Sequence, residues 1–214
     1  MKGKLITFEG IEGCGKSTQV GLVHRALSER GVSAILTREP GGTEIGSQIR
    51  RILLDPRHGS LTPVAELLLY AADRAQHIRE KIVPALGQGK VLLCDRFTDA
   101  TLAYQGYGRG LDPGLITKLN RIATGGCVPD RTILIDLPVK IGLDRANQRN
   151  RANGVTGTEG RFEEEEIAFH NRVREGYLSL AARDPERIRV VRGDQSPDRT
   201  CREILSFILP LLSE

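Results

Sequence analysis

The chain predicts an α/β fold, a doubly wound parallel sheet of five strands with helices on both faces, and three observations carry that prediction. A short apolar run, Leu5-Ile6-Thr7-Phe8, leads through the glycine-rich stretch Gly10-Ile11-Glu12-Gly13-Cys14-Gly15-Lys16-Ser17 into a helical pattern, giving the order strand, turn, helix. Two further runs, Val91-Leu92-Leu93-Cys94 and Thr132-Ile133-Leu134-Ile135, are continuously apolar rather than alternating, as strands covered on both faces are. Strand-like and helix-like segments alternate along the whole chain.

In chain order, Lys4 to Glu9 is the first strand, and Lys16 to Glu29 is a helix with Val20, Val23 and Leu27 on one face and Gly31 beyond its end. Ser33 to Thr37 is the second strand, Arg38 to Thr43 a turn, and Thr43 to Leu54 a short helix carrying Ile45, Ile49, Ile52 and Leu53. Thr62 caps and Pro63 opens a long helix to about Gly87, with a kink expected at Pro84 in its last turn. The strand Val91 to Cys94 ends on Asp95-Arg96, and the strand Thr132 to Ile135 ends on Asp136. Helices are expected near Asp112 to Ala123 and Lys140 to Arg149. Arg151 to Gly160 is polar and aperiodic, the pattern of a mobile loop. Phe162 to Ala182 is a long amphipathic helix bearing Ile167, Phe169, Val173, Tyr177, Leu178 and Leu180. Ile188 to Val191 is the last strand, and Pro197 to Leu212, capped by Ser196, the last helix.

The chain has 214 residues and no Pro/Ser-rich linker, low-complexity tract or internal repeat, so one domain over 1–214 is expected. Lys and Arg number 31 against 27 Asp and Glu, a net charge of +4 that is too small to demand nucleic acid as a partner. Of those 31 cations 24 are Arg, the residue suited to forked recognition of phosphates and carboxylates. The four cysteines, Cys14, Cys94, Cys127 and Cys201, show no C-x-x-C spacing, which argues against zinc or a disulfide framework and for a reduced, cytoplasmic setting. No apolar run approaches the ~18 residues of a membrane span, and the N-terminus lacks a signal-peptide pattern.

The stretch Gly10 to Ser17 has the spacing G-x-x-x-x-G-K-[ST] of a phosphate-binding P-loop. Its glycines allow the tight turn that aims backbone N–H groups at phosphate oxygens, and the helix that follows adds the positive end of its dipole. Lys16 is placed to reach the terminal phosphates and the Ser17 hydroxyl to ligate Mg²⁺. Asp95, ending an apolar strand, is the first candidate for the carboxylate partner of that metal, and Asp136 competes on the same pattern. Arg38 and Arg96 each follow a strand and converge on the strand-end crevice, where two guanidiniums can hold a second phosphate. Tyr70 and Arg74, four residues apart, share a helix face and suit a flat base, one by stacking and one by hydrogen bonding. Arg145, Arg149, Arg151 and Arg161 surround the aperiodic loop, as a lid that closes over a transferring phosphoryl group requires.

Taken together, Phe8 to Thr18, Thr37-Arg38-Glu39-Pro40-Gly41-Gly42-Thr43, Tyr70 to Gln76, Asp95-Arg96-Phe97 and Ala103-Tyr104-Gln105-Gly106 resemble the bacterial thymidylate kinases, in order and over essentially the whole chain. The resemblance implies a P-loop nucleoside-monophosphate kinase fold with a lid at about 149–161, transferring the γ-phosphoryl of Mg-ATP to dTMP in dTTP synthesis, and a cytoplasmic homodimer. On that resemblance Gly10, Ile11, Glu12, Gly13, Cys14, Gly15, Lys16, Ser17 and Thr18 hold ATP, with Ser17 and Asp95 at the metal. Arg38 and Arg96 hold the dTMP phosphate, Glu12 faces the 3′-hydroxyl or an adjoining Arg, and Tyr70 replaces the usual Phe against thymine. Arg74 hydrogen-bonds a thymine carbonyl, Thr101 approaches the base edge, Tyr104 crowds C2′ of the sugar, and Gln105 belongs to the same acceptor site. Gly13 stands where some relatives carry Arg, which assigns the catalytic charge to Arg149, Arg151 and Arg161 of the lid, beside Lys16, Arg96 and Asp95. The lid reads Gly160-Arg161-Phe162-Glu163 where the family commonly has D-R-x-E, with Glu159 available as the acid, and Ala100 replaces a family Ser.

Two other readings stay open at this point: a kinase of the same fold for another acceptor, and a nucleotide-dependent switch. No N-K-x-D guanine-reading pattern supports the switch, and a switch has no use for a second phosphate pocket.

Overall fold

The computed structural model describes residues 3–152, 160–162 and 165–212. The strands are β1 (Lys4–Glu9), β2 (Ala34–Arg38), β3 (Val91–Asp95), β4 (Arg131–Asp136) and β5 (Ile188–Arg192). They form one parallel sheet in the order β2-β3-β1-β4-β5. In this register Asp95 lies level with Phe8 on one neighbour and Arg38 on the other, so the carboxyl ends of three strands open at one height. Ligands of such sheets bind outside those ends.

Both faces of the sheet are covered. Alternate β1 residues enter different clusters: Ile6 and Phe8 pack with Val23, Leu27, Ile133, Val173 and Ile204, whereas Leu5 packs with Ile78, Ile82, Leu92 and Phe97. All of these are nearly or fully buried, and each large apolar side chain so buried contributes about 1.5–3 kcal/mol. Two-sided burial is the physical reason the strands read as unbroken apolar runs.

The helices are α1 (Lys16–Ser28), α2 (Glu44–Leu54), α3 (Pro63–His77), α4 (Val83–Gly87), α5 (Thr98–Thr101), α6 (Pro113–Thr124), α7 (Val139–Ala152), α8 (Ile167–Arg183) and α9 (Pro197–Leu212). Thr43 caps α2 by accepting from the Gly46 N–H at 3.0 Å, and Thr62 caps α3 through the Ala65 N–H. The expected single helix to Gly87 is instead divided by a π-helical turn over Ile78–Ile82. Pro84 has no N–H to return to the Glu80 carbonyl, and its ring crowds that group, so the departure falls in the turn before it. Thr98–Gly108 is helical, α5 continuing into a π-helical turn over Leu102–Gly108, where no helix was expected. The helix expected from Phe162 begins at Ile167, and Ile167, Ile45 and Ile52 are exposed rather than core residues. The expected loop lies mostly outside the described residues, while α7 continues to Ala152. Among the described residues no helix is long and apolar enough to cross a membrane.

Candidate active site

A cavity of about 730 Å³ opens at the carboxyl ends of the strands. Its lining joins the loop between β1 and α1 to Arg38, Tyr70, Arg74, Asp95, Arg96, Thr101, Tyr104, Gln105 and Arg149.

The loop from β1 to α1 has left-handed backbone at Gly13 (φ 67) and Gly15 (φ 99). A Cβ on Gly13 would lie 1.9 Å from the Gly142 carbonyl oxygen, so this position accepts no side chain here. A Cβ on Gly15 would meet nothing within 4 Å, and Gly15 lines the cavity. Lys16 is buried, and its Nζ donates to the carbonyls of Gly10 and Ile11, both at 2.9 Å. Gly10 and Ile11 do not line the cavity; their backbone restrains Lys16 instead. Ser17 Oγ donates to Asp95 Oδ2 at 3.0 Å. These are two adjacent hard oxygen donors on the cavity wall, a set that fits Mg²⁺. Asp136 is not available for that part: both of its oxygens accept from Arg174, at 2.7 and 2.8 Å, and it does not line the cavity.

Arg96 directly follows β3 in left-handed backbone (φ 69), uncommon for a residue with a Cβ. Its Nη1 donates to the Gly10 carbonyl and Tyr177 hydroxyl, and its Nη2 to Glu12 and the Tyr104 hydroxyl, all at 3.0–3.1 Å. The guanidinium also lies 4.8 Å from the Tyr104 ring centroid. Glu12 accepts from Tyr104 at 2.6 Å and approaches His170 Nδ1 at 3.4 Å. Burial works to raise its carboxyl, but His170, Arg96, Lys16 and Tyr104 outweigh it and bring the pKa to about 2. Beneath Arg96 lies Glu9, fully buried, accepting from the Phe97 N–H at 2.7 Å and from Tyr177 at 2.8 Å. Burial, reinforced by Asp99, pushes its pKa up to about 7. Arg38 is exposed on the opening, level with Asp95.

Arg74 is almost fully buried. It donates to Glu39 (2.8 Å), Thr101 (3.1 Å), Asn120 (2.7 Å) and the Phe97 carbonyl (3.0 Å). Glu39 also takes His77 Nδ1 at 2.8 Å, and His77 Nε2 meets Thr37 Oγ1 at 2.6 Å. Tyr70, one turn before Arg74, is half-buried on the cavity wall.

The lid arginines separate. Arg149 lines the cavity, whereas the side chain of Arg151 lies outside the described residues, as do Glu159 and Glu163. Arg161 does not line the cavity: it is buried, donating to the Leu53 carbonyl and paired with Glu66. In this structure a buried carboxylate holds the Arg161 guanidinium away from the cavity and anchors the chain at residues 160–162. Glu39, Arg50, Phe162 and the connection from β5 to α9 (Gly193, Gln195, Pro197) also line the cavity. Gly193, directly after the last strand, carries the one signal that finds that connection, its position at a strand's carboxyl end. Arg50 and Phe162 arrive through packing alone.

A P-loop, a strand-end carboxylate beside its Ser, and two strand-end arginines around one cavity on this sheet define a P-loop nucleoside-monophosphate kinase fold. The sequence model of the family described as thymidylate kinase matches residues 8–204. The chain belongs to the thymidylate kinase family. It is 54% identical over 213 residues to a thymidylate kinase of Geotalea uraniireducens, covering 99% of each chain. It is 55% identical over 203 residues to one of Desulfovibrio desulfuricans, covering 95% of this chain and 94% of that one. The crystal structure of thymidylate kinase from Ehrlichia chaffeensis superposes with a TM-score of 0.77 at 33% identity, covering 97% of this chain and 100% of that one.

Proposed function

We infer that this chain transfers the γ-phosphoryl group of ATP to dTMP, giving dTDP and ADP, with all parts of the reaction assembled in the one cavity. The observation that carries the reading is that Lys16, Ser17 and Asp95 share this cavity with Arg38, Arg96, Tyr70 and Arg74, a donor set and an acceptor set together. The switch reading falls with family membership.

The backbone from Glu12 to Thr18 cradles the ATP phosphates, and Lys16, held by the carbonyls of Gly10 and Ile11, neutralises them. Arg38 and Arg96 hold the acceptor phosphate, Tyr70 stacks on the base, Arg74 and Gln105 meet its edge with Thr101 behind, and Tyr104 closes on the sugar. A phosphate monoester with a second pKa of about 6 is already anionic at neutral pH, so no general base is required. Catalysis then rests on alignment and on charge stabilisation by Lys16, Arg96 and Arg149. Ser17 and Asp95 would hold Mg²⁺, which when bound neutralises charge on the donor phosphates.

A single domain is supported by the one continuous sheet that the described residues share, while the lid expected at about 149–161 lies mostly outside them. All four cysteines are free, which supports a cytoplasmic setting. A homodimer is supported by exposed apolar residues on neighbouring helices, Ile45 and Ile52 of α2, Val64 and Leu68 of α3, and Leu115 and Ile122 of α6. Sedimentation equilibrium reads the assembly directly.

The deciding experiment is a coupled ADP-release assay with ATP and a panel of dTMP, dUMP, UMP, dCMP and dGMP. Preference for dTMP is the expected result; preference for another acceptor overturns the substrate, and acceptor-independent release overturns the kinase reading.

A further inference from the structure

Glu66 is fully buried on α3, one turn before Tyr70 and two before Arg74, so the three share a helix face. Its Oε1 accepts from Gln105 Nε2 at 2.7 Å. Two guanidiniums offset the burial of its charge: Arg109 at 3.3 Å, itself paired with Glu165 at 2.6 Å, and Arg161. Gln105 is buried too, and it lines the cavity beside Tyr70, Arg74 and Thr101.

A glutamine amide turned by 180° fills nearly the same volume, so shape alone does not decide whether nitrogen or oxygen faces a ligand. A carboxylate decides it, because it only accepts hydrogen bonds. Presented with Glu66, Gln105 must point Nε2 toward it, which leaves Oε1 as the atom for the cavity. Arg74 is fixed in the opposite sense: a guanidinium only donates, and four of its five N–H groups are already used on Glu39, Thr101, Asn120 and Phe97.

We propose that Glu66 is a specificity-determining positioning residue, which by orienting the Gln105 amide sets an acceptor beside the Arg74 donor and so selects a pyrimidine whose N3 carries hydrogen and whose C4 carries oxygen. Thymine and uracil offer that edge. Cytosine presents a bare N3 to the Gln105 oxygen and an amino group to Arg74, so both contacts become mismatched. The base never touches Glu66, which acts through Gln105. This inference rests on the reading of the cavity as a dTMP site.

The test compares wild type, E66Q and R161Q in steady-state assays with dTMP and dCMP as acceptors and ATP saturating. The amide introduced by E66Q is close in shape to the carboxylate but donates as well as accepts, so it releases Gln105 to turn. The dTMP:dCMP ratio of kcat/KM is expected to fall about tenfold or more in E66Q, the size of a hydrogen-bond mismatch in a pocket, with KM for the two acceptors moving in opposite directions. R161Q removes one of the two guanidiniums on Glu66 and leaves both Arg109 and its hold on Gln105, so the ratio stays within about twofold of wild type whatever happens to turnover. A folded E66Q that loses activity equally on both acceptors shows a merely structural residue and overturns the proposal. Should E66Q not fold, the charge-balanced double variant E66Q/R161Q replaces it: a fall in the ratio relative to R161Q upholds the proposal, and an unchanged ratio overturns it. A wild-type protein that does not prefer dTMP to dCMP instead overturns the proposed function, and this inference with it.

Discussion

Arg96 shows how much of this site rests on one side chain. It links the P-loop through the Gly10 carbonyl, the acid Glu12 and two tyrosine hydroxyls, and its backbone accepts a left-handed conformation to do so. Lysine keeps the charge but not the fork, so R96K is expected to lower kcat by about 10²–10³-fold, the range for losing an electrostatic stabiliser, with far-UV circular dichroism unchanged. K16A is expected to lose at least as much, read in the same ADP-release assay, because Lys16 is the cation held within the P-loop itself. Glu9 carries a different prediction. Folded, it keeps its proton up to about pH 7, against 4.5 for the ordinary carboxyl of the unfolded chain. The folded state therefore binds more protons in that window and loses stability as pH rises through it, by about 3 kcal/mol at most. Glu12 works in the opposite sense, contributing stability above pH 4.5 that is lost as pH falls toward about 2. Urea unfolding at pH 5 and pH 8 is expected to show a smaller drop in E9Q than in wild type; equal drops rule out the titration of Glu9.

Among the elements, the P-loop separates two uses of glycine. G13A places a methyl 1.9 Å from the Gly142 carbonyl at the junction of the loop with α7, on backbone that disfavours a Cβ. It is expected to cost about 2–4 kcal/mol, strain and overlap together, and to lower Tm by several degrees in calorimetry. G15A has the same kind of backbone but open space, so it is expected to cost only about 1 kcal/mol while weakening ATP binding much more than G13A weakens it per unit of lost stability. The elements were largely legible because their signals are local: apolar runs for the strands, Thr62-Pro63 for the start of α3, and the motif for the loop. The π-helical turns over Ile78–Ile82 and Leu102–Gly108 were not, since a widened turn and an α-helical turn share one apolar periodicity and only packing separates them. The second of these holds Tyr104 and Gln105 on the cavity wall, so the site depended on an element that the sequence left unmarked.

At the scale of the molecule, the sheet order brings β3 beside β1, and thereby Asp95 to Ser17 and Arg96 to Gly10. Donor and acceptor groups line one cavity of a single fold, so each ligand stabilises the whole. At 100 times its dissociation constant either one is expected to add about 2.7 kcal/mol, seen as a rise in Tm by calorimetry, and dTMP with a nonhydrolysable ATP analogue together are expected to exceed either alone. No rise with dTMP would contradict an acceptor site in this cavity. The sequence by itself determined the strands, the P-loop and the strand-end groups Arg38, Asp95 and Arg96, because neighbours in the chain write these patterns. It ranked Asp95 ahead of Asp136 while leaving Asp136 as a competitor, and it placed Arg161 with the lid catalysts. Only the tertiary structure gave Asp136 to Arg174, Arg161 to Glu66 and Glu66 to Gln105. Those pairings join residues 38, 95 and 39 positions apart, and which buried carboxylate meets which guanidinium or amide is decided by how the helices pack on the sheet.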